Sequence, residues 1–581
     1  MRRDWLEREA DPAVVDGLVA AGESPLMARL LAIRGVSAGE LEGFLAPSLS
    51  DIADPLSLPG VREAVEAILP AVRSHGRIVV FGDYDCDGVC ASAILFAALS
   101  AMGADAKVFL PERLSEGYGM NDAAVSRMLA ENPSVSLVVT VDNGINSAVQ
   151  VGALRAKGIS VVVTDHHLPG DDLPACPLVN PKILSPAELD GLCGAGVALF
   201  VAYRLVARAK EEGLYSGPPL SAPLIVLAGL ATVTDIMPLK GQNRLLVASA
   251  LRLFRKFAPI GLKELFARAS RHCPVCLTSK DFGFLLGPRV NAAGRMGSGM
   301  EALDLLLAKD REEARELARR VDLRNAERKK AEQTMAEQAL SGVVPGAPAQ
   351  VICLPDGNPG VAGIVAARIL EWLSETSGAV PVCVAVGSRG SARAPDGYNV
   401  RDAFAACSEH LDSFGGHAAA GGFRVKDGRM DVFRRAFDSA CAAQAAAAPR
   451  AGAVLCDAFV EGEDLSLEFV ESLSKLEPFG EGNPEPVFAM RGVLLSDVRP
   501  LGADGKHLAL EFRGRSVPRA VWWNHGERIG ELRAGAHRRF DILFAAEVST
   551  YGERHVELRL LDIRETPGDK VFSDTPLTAV R

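Results

Sequence analysis

The sequence predicts an α/β chain of several domains: a parallel-sheet domain, a long connecting helix, a second α/β domain and a small C-terminal β-barrel. Three observations lead there. Between residues 75 and 240, short β-branched runs alternate with helix-favouring stretches, the pattern of a parallel sheet wound by helices. Residues 302–341 are highly charged and contain no Gly or Pro before Gly342. Five β-rich runs crowd into residues 487–563. At 581 residues, with roughly 100–200 residues per domain, the chain holds material for about three to five domains.

Taken in order, residues 1–60 read as an N-terminal extension packing on the catalytic domain. The opening MRRDWLEREADPAVV has two arginines but no following apolar run, so it lacks the form of a secretory signal. Residues 61–300 form the first domain. Its strands are expected at Arg77–Phe81, Ala106–Leu110, Ser136–Val141 and Ser160–Thr164, and its helices at Val89–Met102, Asn121–Glu131 and Ser147–Lys157. The longest apolar stretch, Pro223–Val233, is too short to cross a bilayer, so the expected location is the cytoplasm and no membrane is involved.

Residues 301–345 are the connecting helix, with Leu317, Val321 and Met335 as a narrow apolar stripe; if continuous, it would reach roughly 60 Å. Residues 346–445 are the second α/β domain, with runs at Gln350–Leu354 and Val380–Val386, followed by an Ala-rich linker. Within 450–566 the runs 487–499, 506–513, 516–523, 539–549 and 555–563 suit a barrel of the OB type, a frequent oligonucleotide reader; a generic β-sandwich fits the pattern nearly as well. Trp522 and Trp523 suit either stacking platforms or core positions. Residues 567–581 form a C-terminal tail.

A net charge of −10 argues against adhesion to polyanions over the whole surface, so a nucleic-acid site requires a local basic groove. From Arg252 to Arg295 the basic residues have only Glu264 and Asp281 as acidic company. Eleven cysteines suggest reduced, packed thiols. The pair Cys273 and Cys276 has no second ligand pair at zinc-ribbon spacing, since the next cysteine is Cys353. No Gly-rich loop ends in GK[ST], which speaks against an ATP-driven helicase.

Three strands run into acidic clusters at their carboxyl ends: Gly82-Asp83-Tyr84-Asp85-Cys86-Asp87-Gly88, Asp142-Asn143-Gly144 and Asp165-His166-His167. A fourth, Thr234-Asp235-Ile236-Met237-Pro238, follows the Pro223–Val233 helix. Ligands of open α/β sheets bind outside these strand ends. A lone Asp there is usually a cap or turn residue, and Asp87 suits a cap of the following helix. Three clusters in register weigh the other way. Gathered carboxylates stay ionised together only when a cation neutralises them, and an oxygen-rich set with imidazoles suits Mn²⁺ or Mg²⁺. Two ions sharing a carboxylate such as Asp142 are suited to activating water for in-line phosphoryl displacement.

In this order the motifs DYDCDG, DNG, DHH and TDIMPL resemble those of the DHH phosphodiesterases. The resemblance implies a site holding two ions, Mn²⁺ or Mg²⁺, with Asp83, Asp85, Asp142, His166 and Asp235 as ligands and Asp87 and His167 as second-tier members. Phe414-Gly415-Gly416-His417 with Ala420-Gly421-Gly422 is similar to the GGH motif of the associated DHHA1 domain, and Gly390-Ser391-Ala392-Arg393 to its phosphate-binding strand. Four further segments resemble the RecJ branch: residues 111–119, 192–198, 287–295 and 478–486. That branch implies a 5′→3′ exonuclease releasing mononucleotides from single-stranded DNA in repair and recombination, working as a monomer alongside a single-strand-binding protein and a helicase. Its substrate contacts map onto Arg113, Tyr118, Arg289 or Arg295, Ser391, Arg393, Gly416 and His417. One departure is visible: Gly357-Asn358 stands where the branch usually has Trp-His. Two alternatives are a relative that hydrolyses short oligoribonucleotides, cyclic dinucleotides or pyrophosphate, and a noncatalytic replication scaffold. The first is generally smaller, and the second loses ligands that are all present here.

Overall fold

Val79, Val80, Val138, Val139, Val162 and Val163 are buried on both faces of one sheet, the condition that favours β-branched side chains in parallel strands. The computed structural model describes all residues except 1–3, 114, 118, 219–221, 271–276, 377, 446–453, 515, 550–552 and 568–581. Tyr118, the Cys273/Cys276 pair and residues 568–581 of the C-terminal tail lie outside the described residues. The chain divides into two units, Leu49–Arg450 and a second made of Met1–Ser48 with Ala451–Arg581. Among the described residues no helix is long and apolar enough to cross a membrane.

In the first unit the parallel strands lie in the order Ala106–Phe109, Arg77–Phe81, Val135–Val141, Ser160–Thr164, Leu178–Val179. Helices Val61–Arg73, Cys86–Ala101 and Gly194–Glu211 cover one face, and Asp122–Glu131 and Ala148–Ala156 the other. The strand order reverses between Arg77–Phe81 and its neighbour Val135–Val141. Asp83 and Asp142 follow those two strands, at the place where such sheets open a crevice.

The connecting helix expected over 301–345 is broken, so the span it would have reached if continuous is not realised. Met300–Leu307 ends at Ala308, and Asp310 starts Arg311–Ser341 by accepting hydrogen bonds from the Glu312 and Glu313 amides. An Asp one residue before an Arg-Glu-Glu turn is a strong N-cap, and the sequence restarts there. The 31-residue helix spans about 46 Å. Leu317, Val321 and Met335 are buried along it. The sheet of the second α/β domain runs Leu411–Gly416, Ala420–Val425, Arg389–Arg393, Val382–Val386, Gln350–Leu354.

In the other unit, Phe488–Leu501, His507–Phe512, Ala520–Trp522, His555–Glu565 and Arg539–Ser549 pair in turn, and Phe488–Leu501 pairs back with Arg539–Ser549. This closure makes a five-stranded barrel and sets aside the sandwich. Of the expected N-terminal extension, residues 49–60 pack on the catalytic domain, with Leu58 in its core and Gln242 bonded to Asp51 and Ala53, whereas residues 1–48 belong to the barrel's unit instead. Strand Trp5–Glu7 pairs with Val454–Cys456, and Leu18, Met27, Leu30 and Leu31 are buried in the core under the barrel. Arg34 donates to Asn483 (3.0 Å) and to the Pro484 carbonyl (2.7 Å), so segment 478–486 is anchored by a residue about 450 positions earlier. The helices Pro12–Ala20 and Pro25–Ile33 are too short to be stable alone and need this face.

Candidate metal centre

The first acidic cluster is fixed by capping. Asp85 starts the helix Cys86–Ala101 by accepting from the Gly88 amide at 3.0 Å. The expected cap, Asp87, does something else: its two oxygens accept from the Gly194 (2.6 Å) and Ala195 (2.7 Å) amides, at the positive end of helix Gly194–Glu211. A Cβ at Gly88 would sit 2.6 Å from that of Asp83, and one at Gly194 2.5 Å from that of Asp142, so both glycines make room for carboxylates. Asn291 accepts from the Cys86 amide at 2.8 Å and holds the cluster from helix Gly287–Met296.

Asp142 has φ +62, a left-handed conformation that turns its carboxylate across the strand end. Asp165 is an organiser. It accepts from the His166, His167 and Ile145 amides and lies 2.7 Å from His167 Nδ1, which sets the orientation of that ring. Asp235 follows the last turn of helix Ala222–Thr234, where the backbone carbonyls favour a cation.

These residues converge. Three sets have donor atoms within 4.8 Å of one another: Asp83, Asp85 and Asp142; Asp142, His166 and His167; Asp87, His166 and Asp235. Asp142 and His166 each belong to two sets. His166 Nε2 lies 3.1 Å from Asp142 Oδ1, 3.6 Å from Asp87 Oδ2 and 3.7 Å from Asp235 Oδ2.

Burial, then the charges of the neighbouring aspartates, pushes the carboxyls of Asp83 and Asp142 well above the usual range and that of Asp235 up to about 9. Burial lowers His166, leaving a neutral ring with a lone pair to offer. Burial opposes charge on His167 too, yet the hydrogen bond its ring N–H donates to the Asp165 carboxylate raises it to about 9. Buried Asp83 Oδ1 and Asp142 Oδ1 accept no hydrogen bond among the described residues. Orphaned carboxylate oxygens beside a neutral imidazole fit hard divalent cations.

A stability signature follows. Carboxyls with raised folded-state values hold protons that the unfolded chain releases above about pH 4. Their contribution is fully present below that pH and is lost as pH rises towards about 9, where Asp235 ionises. Thermal unfolding in EDTA should therefore show Tm falling across this window, and saturating Mn²⁺ should remove the slope. A flat EDTA profile would contradict the electrostatic picture.

The expected substrate residues divide. Arg113, Arg295 and Arg393 share one neighbourhood. Burial and the charge of Arg113 lower both Arg295, to about 10, and Arg393. Arg113 lies 5.1 Å over the Tyr84 ring, Arg295 donates to the Gly360 carbonyl (3.1 Å), and Arg393 donates to that of Ala392 (2.8 Å). Such mutual repulsion suits an anion. Ser391 shares the Arg393 strand. Gly416 has φ +131 in the tight turn before Ala420, and the charge of His167 reaches the His417 ring, which burial already lowers. Arg289 is elsewhere, pairing with Asp322 (2.9 Å), which also takes Arg268 (2.9 Å). The basic stretch is thus partly neutralised by the long helix. At the departure from the RecJ pattern, Asn358 accepts from the Gly360 amide at 2.7 Å. Trp522 is buried and Trp523 is exposed.

Asp165, within the third strand-end cluster, and Asn291, within segment 287–295, were given no site role from sequence, and their hydrogen bonds supply those roles.

Family models agree with this architecture: the DHH family N-terminal domain matches residues 77–228, and the RecJ OB domain matches residues 456–562. The single-stranded-DNA-specific exonuclease RecJ of Salmonella typhimurium is 35% identical over 571 residues, covering 91% of this chain and 95% of that protein. RecJ of Bacillus subtilis is 31% identical over 573 residues, 95% of this chain and 70% of that protein. The crystal structure of Thermus thermophilus RecJ with Mn²⁺ superposes with TM-score 0.82 at 30% identity, covering 97% of this chain and 79% of that one; the Mg²⁺ complex gives 0.77. With a DHH domain, a closed OB barrel and an acid-and-histidine centre suited to Mn²⁺ or Mg²⁺, this chain belongs to the RecJ family of metal-dependent, single-stranded-DNA-specific exonucleases.

Proposed function

We propose that the chain degrades single-stranded DNA from the 5′ end, releasing mononucleotides, at a centre that holds two divalent cations. The observation that carries this reading is the sharing of Asp142 and His166 between ligand sets. In it, Asp83, Asp85, Asp87, Asp142, His166, His167 and Asp235 form the centre. Bound Mn²⁺ or Mg²⁺ would supply the charge that acidifies water and steadies the phosphoryl oxygens. The protein's share is orientation: Asp165 fixes His167, and the helix starting at Gly194 fixes Asp87. Arg113, Arg295 and Arg393, with Ser391, Gly416 and His417, receive the terminal phosphate. Arg289, tied to Asp322, is left out of that role.

The barrel gathers the strand, with exposed Trp523 as a stacking surface. The wider reading places the enzyme in the cytoplasm as a monomer in repair and recombination, beside a single-strand-binding protein and a helicase. Digestion of strands labelled at either end, with Mn²⁺, tests polarity and product together. Release of 3′-terminal label first would overturn the 5′→3′ assignment. In the same assay, Arg393→Ala should lower the preference for a 5′-phosphorylated over a 5′-hydroxyl strand by about 1.5–3 kcal/mol, roughly ten-fold to over a hundred-fold. An unchanged preference would remove Arg393 from phosphate capture.

A further inference from the structure

The helix Ala222–Thr234 ends in a turn that usually calls for glycine. The Ile236 amide donates to the Val233 carbonyl (3.2 Å) and the Met237 amide to that of Thr232 (3.1 Å), the paired bonds of a Schellman turn. The residue in its left-handed position is Ile236, with φ +56. Among the described residues the non-glycine side chains at positive φ are His75, Asp142, Leu184, Ile236 and Asn524, and Ile236 is the β-branched one. In β-branched residues this conformation is a true outlier, because the second branch at Cβ crowds the backbone.

Packing does not offset that strain, since Ile236 is 71% exposed. Strain kept without internal compensation is a mark of a functional position. Ile236 follows Asp235, whose carboxylate shares a ligand set with Asp87 and His166. Other exposed apolar side chains lie on segments that adjoin this centre. Leu168, directly after His167, is 49% exposed. The π-helical turn Asp281–Leu286, packed on the helix end through Gly283 and Gly287, exposes 77% of Phe284.

The chemistry of the substrate sorts these surfaces. Phosphates belong with the arginines and the cations; the flat apolar parts of a single strand are its bases. We propose that Ile236 is a base-contact residue, an apolar rest for the nucleobase beside the bond being hydrolysed. It makes the enzyme prefer a strand that carries bases over a bare sugar-phosphate backbone. This inference rests on the reading of the centre as a hydrolase of single-stranded DNA.

The test compares Ile236→Gly and Ile236→Asn with wild type in the full-length, Mn²⁺-loaded protein. Gly and Asn both accept positive φ, so neither variant threatens the turn. Three quantities are measured: Tm, kcat/KM on an ordinary strand, and kcat/KM on an all-abasic strand of equal length. Tm should hold or rise by about 1–3 °C. The preference for the base-bearing strand should shrink by about ten-fold, the worth of a small apolar contact. An unchanged preference in both variants would overturn the proposal, as would equal losses on the two substrates or a clear fall in Tm. Failure of the wild type to cleave either strand would instead overturn the hydrolase reading.

Discussion

Asp142→Asn should abolish turnover while leaving the protein folded. Asparagine has the same shape and accepts the left-handed backbone at φ +62, so the strand end is preserved. What is lost is a negative oxygen shared by two ligand sets. The expected fall in kcat/KM is at least about a thousand-fold, on the order of 4 kcal/mol of transition-state stabilisation. Stability should move the opposite way. In EDTA, removing one of several buried, mutually repelling carboxylates should hold or raise Tm, whereas the rise produced by Mn²⁺ in the wild type should largely vanish. Near-wild-type turnover, or an undiminished Mn²⁺ response, would refute a shared role for Asp142.

Deleting residues 1–48 should unfold the C-terminal unit and spare the catalytic one. Leu18, Met27, Leu30 and Leu31 are buried beneath the barrel, and each contributes about 1.5–3 kcal/mol by leaving water. Their summed loss approaches the whole stability of an ordinary domain, about 5–15 kcal/mol. The cores of Leu49–Arg450 are built without these residues. Calorimetry should therefore show the barrel's transition lost and the catalytic transition retained. Capture of long single strands should fall far more than Mn²⁺-dependent cleavage of very short ones. An intact second transition, or equal losses on long and short strands, would contradict this division.

How much of this was legible depended on range. Asp83, Asp142 and His166 were legible because each follows an apolar run, and a parallel sheet gathers strand ends at one edge. The bonds from Gly194 and Ala195 to Asp87 were not, since they span over 100 residues and nothing local marks the acceptor. Asp87 looked like a cap of its own helix, but Asp85 takes that role. The break at Asp310 was readable in principle, because an Asp before Arg-Glu-Glu competes with continued helix. The partner of segment 478–486 was not readable: Arg34 is one arginine among many, and the extension's apolar stripe names no recipient. Arg295 and Arg289 share a helix, and the partners that separate them, Gly360 for the one and Asp322 for the other, lie far off in sequence.

That the N-terminal residues complete the last domain also has a kinetic cost. On the ribosome, the 402 residues of Leu49–Arg450 emerge between the two parts of that domain. At about 5–20 residues per second, the first segment waits roughly 20–80 s for its partner. Throughout that interval Trp5, Leu18, Leu30 and Leu31 are exposed to chaperones and to other nascent chains, while the catalytic unit is already free to fold. Newly made protein should therefore acquire phosphodiesterase chemistry before it acquires its barrel, and crowding or chaperone depletion should penalise strand capture first.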